Sequence, residues 1–280
     1  ATARGALVEE GGFEGRLEAS APDLAAFIGV PPGAFRVAGQ LAVGSDLVSL
    51  RDMVVDHAGV PGRGAAALRL GAEPRLEIAL QASRLDLDAW LASFRAGPTT
   101  PIPVALDIAA EAASWRGIAL RRLRGTLLRE GDRFTLTDAT MLLPGQTELE
   151  LDGATAGPRL ELAARAAGPA LRETLLALGL PVEATDAARR RRFEARGRIA
   201  IGETEVGVSD LAATVDEARV TGAGVLRLGA RPMIGMGLEF DRLDLDGQHV
   251  GIAQGTTAAG VAKIIGHHGQ GILAIEVLLA

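Results

Sequence analysis

The chain has 280 residues, of which 48 % are hydrophobic and only 3 % aromatic, with no Cys, no Tyr and a formal net charge of −6. Apolar content this high excludes a disordered chain and allows one large core or two ordinary ones. The absence of cysteine removes disulfides, iron–sulfur clusters, Cys-ligated zinc and thiol nucleophiles together, and an acidic balance with few aromatic platforms speaks against nucleic acid.

No long uncharged apolar run occurs, so no membrane-spanning helix is expected. Arg supplies every basic residue except Lys263, which reads as coding bias rather than function. The chain begins at Ala1 without a leader pattern and is expected to be an internal piece of a longer protein.

In chain order, a Gly-Phe-Glu-Gly strand opens at Gly12 to Gly15, and Ser20 to Gly29 reads as a short capped helix ended by glycine. Turn signals then come at Gly44-Ser45-Asp46 and Gly62-Arg63-Gly64. Arg75 to Gln81 alternates polar and apolar, as does Arg84 to Asp88, and Asp88 to Phe94 suits a helix. Gly97 to Pro103, carrying three prolines, reads as a linker. Beyond it, Gly131-Asp132 and Pro144-Gly145 mark turns, and Phe134, Leu136, Met141 and Leu143 flank a polar gap. Glu148 to Asp152 alternates again, Pro169 to Gly179 reads as a second capped helix, and Gly202-Glu203 marks a further turn. Thr256 to Ile265 is expected to be helical, and the apolar stretch Gly271 to Ala280 a buried strand.

The chain repeats itself. Residues 35–88 align without a gap on residues 193–246, an offset of 158 with 20 identities in 54 positions. Leu68-Arg69-Leu70-Gly71-Ala72 recurs as Leu226-Arg227-Leu228-Gly229-Ala230, and Arg84 to Asp88 as Arg242 to Asp246. A weaker copy lies between them: Leu136-Thr137-Asp138 resembles Leu50-Arg51-Asp52, and Pro158-Arg159-Leu160-Glu161 matches Pro74-Arg75-Leu76-Glu77. The expected organisation is a first β unit over 1–95, a shorter one over 96–167, a third over 168–247 and a divergent end over 248–280.

Period-two alternation places one side-chain set on each face of a strand, the habit of antiparallel sheets with one wet face. The expected fold class is therefore mainly β: an elongated, curled antiparallel sheet of repeated units, groove-like or open-barrel-like, with a few short helices. The apolar set is Leu41, Val43, Leu68, Leu70, Leu76, Ile78, Leu80, Leu136, Leu149, Leu151, Leu160, Leu162, Ile199, Ile201, Leu226 and Leu228. A lining of Leu, Ile, Val and Ala is smooth and suits acyl chains. Each CH₂ kept from water contributes about 0.8 kcal/mol, so a sixteen-carbon tail is sheltered by on the order of 10 kcal/mol before ordering costs. Ile78→Asp is expected to impair transport or folding, and Asp86→Ala to be nearly silent.

With its Gly12–Gly15 strand, Ser20-Ala21-Pro22-Asp23-Leu24, the Gly29-Val30-Pro31 turn, the strand pair Gly64 to Leu76 and the Leu-Asp-Leu-Asp tags at 85–88 and 243–246, the chain resembles the AsmA family of bacterial envelope proteins and its TamB-like relatives. The resemblance covers roughly residues 5–247 and stops there. It implies a periplasmic protein held in the inner membrane by an N-terminal anchor absent from this chain. Its implied work is carrying phospholipid toward the outer membrane, with other envelope proteins as partners and no cofactor. The alternative is a scaffold whose apolar face is filled internally.

Other candidate sites are weaker. Alternation puts Asp86 and Asp88, and likewise Asp244 and Asp246, on one face, but two carboxylates fall short of a calcium site and suit a solvated face plus a helix N-cap. His267-His268 lacks further ligands at metal-binding spacing, with His57 and His249 distant in sequence. Arg189 to Arg192 could meet lipid phosphate, or form a solvated loop. No phosphate-binding Gly-Lys-Ser/Thr loop or Gly-x-Ser-x-Gly elbow occurs, so catalysis is not expected.

Overall fold

Two-residue alternation becomes strand along most of the chain. The computed structural model describes residues 1–8, 12–25, 30–96, 101–178, 192–227, 233–241, 260–267 and 270–278. These contain seventeen strands and two α-helices, in two compact units. The units follow contacts, residues 1–142 and 143–280, whereas the expected division followed sequence similarity.

The first unit holds β1 (Thr2–Leu7), β2 (Phe13–Ala21), β3 (Phe35–Val43), β4 (Leu47–His57), β5 (Val60–Arg69), β6 (Arg75–Asp86), α1 (Leu87–Ala96), β7 (Val104–Trp115), β8 (Ile118–Glu130) and β9 (Arg133–Leu143). Each strand pairs with the next, antiparallel except for β6 with β7. That one parallel pair needs a crossover, and α1 provides it. The second unit holds β10 (Thr147–Ala156), β11 (Arg159–Gly168), α2 (Leu171–Ala177), β12 (Phe193–Ile201), β13 (Glu205–Val215), β14 (Ala218–Arg227), β15 (Met233–Phe240), β16 (Gly260–His267) and β17 (Gln270–Leu278). Its order is sequential and antiparallel to β15, which pairs with β17, leaving β16 outermost. No pairing joins the first and last strands of either unit among the described residues, so each is an open, curled sheet.

The repeat is visible in the elements. The bounds of β3, β4 and β5 recur 158 residues on in β12, β13 and β14, and β6 and β15 begin at matching residues. The bulge between Leu50 and Met53 recurs between Val208 and Leu211. Its extra residue is left-handed both times, Asp52 at φ 49° and Asp210 at φ 53°, and Asp138 in β9 repeats it at φ 52°. A bulge adds one residue and tightens the twist, which curls a sheet. Gly64 and Gly222 also correspond: a Cβ on either would strike a carbonyl of the next strand, Ala79 O or Gly237 O.

The two helices also sit at matching places. Asp86 Oδ1 accepts from the N–H groups of Asp88 and Ala89 at 3.0 and 3.2 Å and so caps α1. α2 is fastened by Thr174, whose Oγ1 lies 2.6 Å from that of fully buried Thr147 and donates to Ala170 O at 3.1 Å.

Several expectations need correction. Residues 260–267 form strand β16, not the helix expected over 256–265, because pairing with β17 outweighs local propensity for a segment with β-branched Val261, Ile264 and Ile265. Gly62-Arg63-Gly64 lies inside β5; the turn falls at Ala58-Gly59, where both residues have positive φ as a type I′ hairpin requires. Asp88 belongs to α1, so the alternation ends at Asp86. Of the helix expected over 20–29, Ser20 and Ala21 belong instead to β2 and residues 26–29 lie outside the described residues, as do residues 97–100 of the linker.

Candidate functional site

Register decides which side chains share a face. In the first unit one row runs Gly15–Leu41–Leu50–Ala66–Ile78–Leu106–Leu127–Leu136 across β2 to β9. Beside it, Phe13–Val43–Val48–Leu68–Leu76–Val104 form a parallel row, and Leu80 pairs with Gly64 and Ile108. In the second unit, Leu160 meets Thr155 and Ile201, and Leu162 meets Gly153 and Ile199. Leu149 and Leu151 lie opposite Ala166 and Ala164, and Val206 stands between Ile201 and Leu226. Each unit thus presents one nearly continuous apolar face. Leu70 is not on it: β5 ends at Arg69 and Leu70 is 39 % exposed. Leu228 lies outside the described residues.

The opposite faces are charged. Cross-strand pairs such as Arg165–Glu150 and Arg227–Glu205 stand at 3.7 and 3.3 Å and are largely solvated, contributing little each.

Bulges keep the apolar face in phase. In β4 the inward set is Val48 and Leu50, then Met53 and Val55, with Arg51 and Asp52 exposed between them. Strict alternation would have put Asp52 on the apolar face. A spacing of three between apolar residues with Asp just before the second is the signal, present also at Leu136-Thr137-Asp138-Ala139 and Val208-Ser209-Asp210-Leu211.

Part of the first face is covered by the chain itself. α1 packs on β6 and β7. Trp90 meets His57 edge-on at 5.9 Å, and Phe94 meets Phe134 at 6.4 Å. His57 also lies 6.4 Å from Phe35, and its Nε2 is 2.9 Å from Pro31 O. Trp90 and Phe94, four residues apart, are the sequence signal for this lid. Met53, Val55, Leu85, Leu106, Leu120 and Leu123 are buried, whereas Leu41, Leu50, Ala66 and Ile78 are only half-buried.

One side chain breaks the apolar pattern. Arg129 continues the row of Leu76 and Val104 and pairs with Phe134, yet it is only 5 % exposed. Its Nε donates to Gly131 O at 3.1 Å and its guanidinium lies 5.3 Å from the Phe134 ring centre.

The remaining candidates do not assemble into a site. Among the described residues, no three His, Asp or Glu side chains are grouped to hold a metal ion. Asp86 caps α1, and Asp88 Oδ2 accepts from the Arg116 N–H at 2.6 Å. Asp244, Asp246, His249, His268 and Arg189 to Arg191 lie outside the described residues; Arg192 is exposed. An open hollow of about 550 Å³ in the second unit is lined by Glu148, Glu194, Asp216, Arg192 and Phe193, a charged rim unsuited to an acyl chain.

Compared with protein-family models, curated proteins and solved structures, the chain matches none.

Proposed function

We propose that this chain is a segment of an AsmA-like envelope protein that shelters phospholipid acyl chains on an apolar β face during transport toward the outer membrane. On this reading the segment works in the periplasm, as part of a longer protein anchored in the inner membrane, without catalysis or a cofactor. The observation that carries the reading is the row from Gly15 to Leu136, apolar or glycine at each of eight strands and half-buried over much of its length. Moving lipid along such a face needs no chemistry, only continuity of apolar surface. Photo-crosslinkers at Ile78 and Leu160, in the presence of radiolabelled phospholipid, test it. Adducts at both positions are expected; their absence along the whole face would sink the reading.

A scaffold role is the second reading, favoured by the α1 lid over β6 and β7. Native mass spectrometry after gentle extraction separates the two, because a self-filled face carries no additional lipid mass.

A further inference from the structure

We infer that Arg129 is an anion site that holds the phosphate of a lipid whose acyl chains lie on the apolar face; this rests on the function proposed above. Three observations meet here. A guanidinium stands on a row that is otherwise Phe13, Val43, Val48, Leu68, Leu76 and Val104. The equivalent residues of the other repeats are Val43 and Ile201, so the repeat itself requires only an apolar side chain at this place. Among the described residues no carboxylate bridges to Arg129, although a buried cation without a counter-ion is costly.

Arg129 is also prepared for such a ligand. The Gly131 carbonyl and the Phe134 ring hold the guanidinium, and Phe94 packs edge-on against that ring at 6.4 Å. A planar guanidinium fork matches two phosphate oxygens, and a charge-assisted pair of this kind is stronger beside apolar walls than in water. An amphipathic guest with tails on the face and phosphate at its Arg129 end satisfies both surfaces together.

The test compares the intact protein with Arg129→Met, which keeps the stem and volume, after thermal melting confirms that the variant folds. Binding is measured for dioleoyl phosphatidylglycerol, for dioleoylglycerol with the same tails, and for glycerol 3-phosphate. The intact protein is expected to prefer the phospholipid over the diacylglycerol by about tenfold. Arg129→Met should lose that preference while retaining the diacylglycerol. Equal preference in both proteins overturns the Arg129 site and leaves the apolar groove standing. Failure of either lipid to bind the intact protein overturns the groove as well. Binding of glycerol 3-phosphate as tight as that of the phospholipid overturns the lipid as the source of the phosphate.

Discussion

Asp52, Asp138 and Asp210 hold left-handed backbone at the same place in three repeats. A side chain there costs about 1 kcal/mol or more unless it bonds locally or is glycine, and Asp and Asn bear it best. Asp52→Ala should therefore destabilise by about 1 kcal/mol, with Asp52→Asn close to neutral. Urea unfolding midpoints check this, and an unchanged midpoint for the alanine variant would count against a strained bulge. The Asp210–Arg198 contact at 3.6 Å adds little, since both side chains are well solvated.

A second residue-scale expectation reverses with the structure. Asp86→Ala loses both N–H acceptances at the start of α1 and should cost about 1 kcal/mol, while Asp86→Asn retains most of the cap. Read from sequence, the Asp86 and Asp88 pair suits a solvated face plus a helix N-cap, yet the loss of Asp86 is expected to be nearly silent. Solvation holds; silence does not, because the exposed carboxylate starts the helix. Chemical denaturation of the two variants side by side measures the difference.

At the scale of elements, the crossover helix decides how much of the face remains free. α1 must return the chain from the end of β6 to a parallel β7, and the path lies over the sheet. Phe94→Ala removes the ring that meets Phe134 and should cost about 2 kcal/mol. The same change should raise crosslinking of lipid at Leu136, because the neighbouring row is uncovered. Lower stability with no change in adducts would mark α1 as packing alone rather than as a lid.

At the scale of the whole molecule, the central question is whether one face of the curled sheets behaves as apolar surface. Ile78 stands between Ala66 and buried Leu106, so Ile78→Asp sets an unpaired charge among apolar neighbours and should cost about 3 kcal/mol. Ala79→Asp, one residue on and exposed, should stay within about 0.5 kcal/mol. Comparable losses at 78 and 79 in urea titrations would contradict the two-faced sheet.

Period-two alternation was enough to read a mainly β chain, and the 158-residue offset was enough to read repetition, because strand geometry and register are written in local side-chain order. Most of the apolar set was legible for the same reason. Leu70 continues the alternation one residue past the end of β5, where its N–H still donates to Asp46 O at 2.7 Å. No neighbouring strand covers its side chain, however, and it stays 39 % exposed. Local pattern favours helix over 256–265, and the pairing of 260–267 with β17 is what makes that segment a strand. Face membership after each bulge, the path of α1 over β6 and β7, and the burial of Arg129 between Val104 and Phe134 belong to tertiary structure. They depend on which strands become neighbours, and a neighbour contributed from distant sequence leaves no mark on the local pattern.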